Sequence, residues 1–211
     1  MSQHTHHFRS LDIAREALDL GARRSVIRQI TGLSESELHR VFGTSPALTM
    51  HRGGRPSSIE KLFHRRETHL HASDFYNGFH HLLRRGVAPD EALVVAYRHY
   101  KARHPRDARL DFDRAFSVVT AVCRLWTTAA PSLTAVRCGI CGAQFLAALD
   151  AMPSVRSHCT YCKAAEWLTK RERMPAQAPQ QPSKRDPGDV YSLRVPISPS
   201  ACRMHESVPV H

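Results

Sequence analysis

The sequence predicts a mostly α-helical protein: a helical N-terminal domain, a small C-terminal module built on four cysteines, and a disordered tail. Three observations carry that expectation. Apolar residues recur three and four positions apart through much of the first 130 residues, the spacing of one helix face. Two Cys-x-x-Cys pairs, Cys138-Gly-Ile-Cys141 and Cys159-Thr-Tyr-Cys162, stand seventeen residues apart. Beyond Met174 the periodicity stops, and Pro-Ala-Gln-Ala-Pro-Gln-Gln-Pro-Ser has too little apolar surface to order itself. The implied organisation is an unordered stretch 1–10, a helical domain 11–130, a four-cysteine module 131–173 and a tail 174–211.

The elements follow in order. Met-Ser-Gln-His-Thr-His-His is polar and has no apolar run of a secretory signal. Leu11, Ala14 and Leu18 then share a helix face, widened by Ile13, Ala17 and Leu20, and Gly21 ends that helix. Val26, Ile27 and Ile30 form a second short face before the turn Thr31-Gly32-Leu33. Ser34 with Glu37 is a capping box, so a helix should run from Glu35 to about Phe42 with Leu38, Val41 and Phe42 inward. Residues 43–58 break the pattern with glycines and prolines and read as an extended arm or loop. Periodicity returns at Phe75, Tyr76, Phe79, Leu82 and Leu83, closed by Gly86. Pro89-Asp90-Glu91 starts a further helix, with proline at its first position and acids facing the positive end of the dipole. Leu93, Val94, Tyr97 and Tyr100 face inward there. A longer helix is expected from Asp111, with Phe112, Phe116, Val119, Cys123 and Trp126 as its buried stripe.

At 211 residues with 42% hydrophobic side chains, the chain can bury an ordinary core. Its net charge is +11 and its pI near 9.9. That excess points to a polyanionic partner, duplex DNA foremost, although basic composition by itself also describes proteins with no such partner. No stretch reaches the roughly 18–20 apolar residues of a membrane span, so no membrane partner is expected. The expected compartment is the cytoplasm, where thiols stay reduced.

Reduced paired Cys-x-x-Cys motifs more often hold a metal than form disulfides or a redox pair. Four thiolates suit one Zn²⁺, and four sulfurs leave no position for water, so the ion would be structural. Cys138, Cys141, Cys159 and Cys162 are the expected ligands of a zinc-ribbon-like module from about Val136 to Lys163, with Phe145 packed against the site.

Candidate DNA contacts are spread along the chain. Residues 23–42 have helix-turn-helix proportions, and the second helix would present Glu35, Ser36, His39 and Arg40 to a groove. Glu35 and Glu37 oppose phosphate, and two short helices around a glycine are common in any helical domain. Arg52-Gly-Gly-Arg55-Pro56 fits a minor-groove arm, or equally a basic loop. Arg65, Arg66 and Lys163 are further phosphate contacts, with a solvated helix face as the alternative. Clustered histidines, among them His64, His69, His71, His80 and His81, lack the spacing of a catalytic metal site and read as surface or packing residues. No phosphate loop or nucleophile elbow is present, so no enzymatic activity is expected; a nuclease with a zinc-ribbon attachment or a zinc-stapled adaptor are the alternatives.

Several segments belong together: Leu18-Asp-Leu-Gly-Ala-Arg23, His71-Ala-Ser73 followed by Phe75, Leu82-Leu83 with Gly86, Ala96-Tyr-Arg-His-Tyr100, Arg114-Ala115 and the four cysteines, spanning about residues 11–173. In this order they resemble the FlhC family of flagellar transcriptional activator subunits. The resemblance implies a DNA-binding activator that works with an FlhD-like protein in a hetero-oligomer, recruits RNA polymerase to flagellar promoters and carries one structural zinc. Residues 52–56 and Phe116 differ from the family's usual Lys-Gly/Leu-Pro loop and Trp.

Overall fold

The computed structural model describes residues 3–43, 59, 63, 65–149 and 159–173. Its elements are α1 (Gln3–Asp19), α2 (Arg24–Thr31), α3 (Glu35–Phe42), α4 (Arg66–Arg84), α5 (Pro89–Arg103), α6 (Phe112–Cys123), β1 (Leu133–Arg137), β2 (Gln144–Ala148) and α7 (Thr160–Arg173). The mostly helical fold matches the expectation from periodicity. The arm 43–58 (Gly43 apart), His158 and the tail 174–211 lie outside the described residues.

Helix α1 begins well inside the stretch 1–10 that composition left unordered. Tertiary partners explain why. Arg9 pairs with Asp90 and Glu91 in the first turn of α5, and Ser10 is buried. The turn into α2 is made by Gly21, at φ 88°, a left-handed conformation that costs glycine little. Arg23 then ties α2 to α6: its backbone N–H donates to Asp113 Oδ1 at 3.0 Å, and its Nε lies 2.7 Å from Oδ2. The capping box forms as expected, with the Ser34 hydroxyl oxygen accepting from Glu37 N–H and Glu37 Oε2 accepting from Ser34 N–H. Val41 departs from the expected core face. An eight-residue helix buries a single pair of adjacent turns, here Leu38 and Phe42, and Val41 is left 41% exposed.

The core is centred on aromatic side chains. Phe75, Tyr97, Tyr100 and Phe112 meet edge-on or tilted with centroids 5.1–6.3 Å apart, the arrangement the ring quadrupole favours. Burying each ring contributes about 1.5–3 kcal/mol against the entropy of folding. Helix α6 is shorter than its apolar stripe suggested. Arg124 takes a left-handed conformation, φ 58°, and stops the helix at Cys123. Trp126 therefore belongs to the following turn rather than the helix, and folds back to stack on Phe116 at 5.7 Å.

The antiparallel hairpin β1–β2 pairs Leu133 with Ala148 and Arg137 with Gln144. An isolated two-stranded hairpin is marginal in water. Here the free edge of β2 is covered by α4 through a polar stripe at four-residue intervals. His69 Nε2–H donates to Leu146 O at 2.6 Å, Leu146 N–H donates to Ser73 Oγ at 3.1 Å, and Asn77 Nδ2 donates to Gln144 O at 2.7 Å. Strand alternation does the rest: Leu146 enters the helical core, while Phe145 and Ala147 face the cysteines. The hairpin and the helical body thus share a core, and both lie within one compact unit, Met1–Met174. Asn77 also donates to Tyr161 Oη on α7 at 3.1 Å, so one side chain holds both halves of the cysteine module. Asn77→Ala should cost about 1–3 kcal/mol. Chemical denaturation checks the value, and an unchanged midpoint would remove Asn77 from this role.

Candidate metal centre and basic surface

The two cysteine pairs come from different kinds of local structure. The first is the hairpin turn. Cys138 N–H donates to Ala143 O at 2.9 Å, Gly142 N–H donates to Cys138 O at 2.9 Å, and Gly142 closes the turn at φ 72°. The second is the entry to α7, where Cys159 Sγ accepts the Cys162 N–H at 3.3 Å, as an N-cap side chain does. The positive end of a helix favours a thiolate there.

All four sulfurs lie within 4.8 Å of one another. Cys138 and Cys162 are 3.9 Å apart, Cys141 and Cys159 3.4 Å. Four sulfurs on a tetrahedral zinc at about 2.3 Å stand roughly 3.8 Å apart, so the spacing fits one ion. The sulfurs also differ among themselves. Backbone N–H groups of Cys141 and Ile140 hold the Cys138 thiol down at about 6, whereas burial pushes Cys159 up and neighbouring sulfurs push Cys162 up. A dication in their midst would favour the thiolate form of its ligands. Phe145 and Ala147 pack beside the buried Cys138 and Cys159, while Cys141 is exposed. Four sulfurs so placed could hold one metal ion, an arrangement compatible with a structural site.

The candidate DNA contacts are less concentrated. Arg40 is exposed near the end of α3. At the other end of that helix, Glu35 is held by Arg24 at 2.8 Å and Arg28 at 3.2 Å, which keeps its carboxyl below its usual range. The end that would enter a groove therefore carries an acid paired with the arginines of α2. Arg52 and Arg55 lie outside the described residues. Arg65 and Arg66 are exposed at the start of α4, one turn before His69. Burial lowers the pKa of His69, and Lys163 on α7 is close enough to lower it further. Arg65, Arg66 and Lys163 are each exposed, and α4 and α7, at whose starts they stand, are joined by the Asn77–Tyr161 hydrogen bond. The supporting residues His69, Ser73, Asn77 and Tyr161 were missed as site residues; their signal was a polar stripe on an otherwise apolar helix. Of the other histidines, His71 is buried and His80 stacks on Tyr76 at 5.8 Å.

A helical body carrying a hairpin, with four clustered cysteines that could hold one metal ion, defines a mostly helical protein with a candidate metal centre. Residues 3–174 match the family described as "Flagellar transcriptional activator (FlhC)", and the chain belongs to that family of transcriptional regulators. Its relatives include the flagellar transcriptional regulator FlhC of Sodalis glossinidius (strain morsitans), 29% identical over 167 residues, covering 79% of this chain and 83% of the relative. That of Xenorhabdus nematophila is 27% identical over 175 residues, covering 80% and 86%. That of Verminephrobacter eiseniae (strain EF01-2) is 31% identical over 146 residues, covering 67% and 75%. Among the described residues no helix is long and apolar enough to cross a membrane.

Proposed function

We propose that this chain is a DNA-binding transcriptional activator that acts in the cytoplasm, in a hetero-oligomer with an FlhD-like partner, and directs RNA polymerase to flagellar operon promoters. It is not an enzyme on this reading. Cys138, Cys141, Cys159 and Cys162 hold one structural Zn²⁺, which would lock the hairpin turn to the start of α7. The ion does no chemistry; it supplies rigidity to nearby cations. The observation that carries the reading is the match of residues 3–174 to the FlhC family, in a basic chain whose exposed Lys163 follows one residue after a proposed cysteine ligand. Phosphate contacts of this kind contribute salt-dependent affinity, while base contacts specify sequence. Arg40, Arg52 and Arg55 are the remaining proposed contacts.

The test is co-expression with an FlhD-like partner, then footprinting on flagellar promoters over a range of salt. Specific protection is expected. Lys163→Ala should weaken binding at all sites alike and reduce the salt slope by about 1. Partner binding without salt-dependent DNA binding would replace this reading with that of an adaptor. Cleavage dependent on a divalent ion would replace it with a nuclease.

A further inference from the structure

Away from the cysteines, α4, the end of α5 and the turn beyond it bring together His71, His104 and Asp107, with one ligand atom from each within 4.8 Å of the others. We propose that these three residues form a second, weaker site for a divalent first-row cation such as Zn²⁺ or Co²⁺, which pins the segment 104–110 against α4.

The donors are right for such an ion: two imidazoles and a carboxylate. His104 Nε2–H donates to Asp74 Oδ2 at 3.2 Å, because a carboxylate accepts. The neutral ring then has its lone pair on Nδ1. That nitrogen faces Asp107 Oδ1 at 3.6 Å, too long for a hydrogen bond. Two ligands at about 2.1 Å on a tetrahedral ion stand roughly 3.4 Å apart, so the gap has the span that an ion bridges. A carboxylate behind a ligating histidine, the position of Asp74, is the usual support for a metal-bound imidazole. Arg103 already pairs with Asp74 at 2.9 Å, while the Asp107 side chain is 62% exposed and available. The His71 and His104 ring centroids are 4.4 Å apart, and His71 is buried. Burial first, and the neighbouring His104 second, lower the pKa of His71 and so favour the neutral form that a ligand needs. Asp107 and Asp74 oppose that shift, and Arg109 adds to it.

The proton inventory explains why the site is weak and how to recognise it. The Tyr100 hydroxyl oxygen accepts from Arg109 N–H at 2.8 Å and Leu110 N–H at 3.1 Å. Both lone pairs are used, so its hydrogen goes to His71 Nδ1 at 2.9 Å. Without an ion, neutral His71 carries its own proton on Nε2. An ion on Nε2 moves that proton to Nδ1: the N–H bond at Nε2 breaks, one at Nδ1 forms, and the proton count is unchanged. The cost of disturbing the Tyr100 bond makes this site yield first to a chelator.

The full chain is titrated with Co²⁺ and, in parallel, Zn²⁺. The first equivalent of Co²⁺ is expected to give the near-ultraviolet thiolate-to-cobalt band. The second should add nothing to that band but broaden the His71 and His104 imidazole resonances. With Zn²⁺, nitrogen NMR should show the His71 proton shift from Nε2 to Nδ1. His104→Asn and the exposed Asp107→Asn should each weaken the second equivalent by at least about tenfold and leave the first intact. Saturation at one equivalent with the His71 tautomer unmoved overturns the proposal, as does full retention of the second equivalent by both variants. If the thiolate band is absent while the histidines respond, the four-cysteine reading fails and this one stands.

Discussion

Cys159→Ser is expected to lower the bound metal and to weaken thiolate-to-cobalt absorption sharply. Cys159 has the largest expected effect of the four because it is fully buried and sits where α7 begins. Its sulfur lies 3.4 Å from Cys141 and accepts the Cys162 N–H. A serine hydroxyl keeps its proton at neutral pH and is a harder donor, so it does not replace a thiolate on zinc. Structural zinc sites contribute about 10–16 kcal/mol of apparent binding energy, which becomes folding energy for whatever the metal staples. A metal held there would join the turn 138–143 to α7. Amide exchange across β1, β2 and the start of α7 should therefore accelerate sharply. The helical signal in far-ultraviolet dichroism should largely persist, because Phe75, Tyr97, Tyr100 and Phe112 pack without the ion. A full complement of thiolate-bound metal in the variant would exclude Cys159 as a ligand.

Tyr100→Phe should destabilise the protein by roughly 2–4 kcal/mol, because it strands several buried groups at once. The hydroxyl serves Arg109 N–H, Leu110 N–H and His71 Nδ1 together, and the ring has essentially no exposure. A phenylalanine keeps the ring contacts with Phe75 and Tyr97 and loses only this hub, so the packing contribution is held constant. Removing a partner from a buried donor exposes its full desolvation cost, which exceeds the net value of the bond itself. For a folded unit of this size the loss corresponds to a fall in Tm of roughly 5–15 °C. Thermal unfolding decides it; a change below about 1 °C would mean that water replaces the hydroxyl without penalty.

Much of this molecule is legible from local pattern. The capping box at Ser34 and Glu37, the proline start of α5 and the glycine turns depend on residues within four positions of one another, and each formed as expected. The four cysteines are legible for the same reason: two sulfurs three residues apart can reach one point from a tight turn. Where the reading failed, a distant partner decided. Residues 3–10 are helical because Arg9 meets α5 across some eighty positions. Trp126 leaves its helix because Arg124 takes a left-handed turn that returns the indole to Phe116. Val41 is apolar yet exposed, since periodicity says that a face exists and not how wide a neighbour covers it. Nothing in the local sequence around His69, Ser73 and Asn77 announces their shared partner; only the free edge of β2 gives them a purpose.

Composition and spacing alone determined that the chain is helical, basic and equipped with four cysteines suited to one structural metal. These are properties of short segments, and short segments carry their own geometry. Tertiary structure decided that the hairpin shares the helical core, that Glu35 at the start of α3 pairs with the arginines of α2, and that Asn77 bonds both the hairpin and α7. It also decided that His71 meets His104 and Asp107. Each depends on residues far apart in the chain whose approach is set by core packing, a many-body outcome that no local spacing encodes.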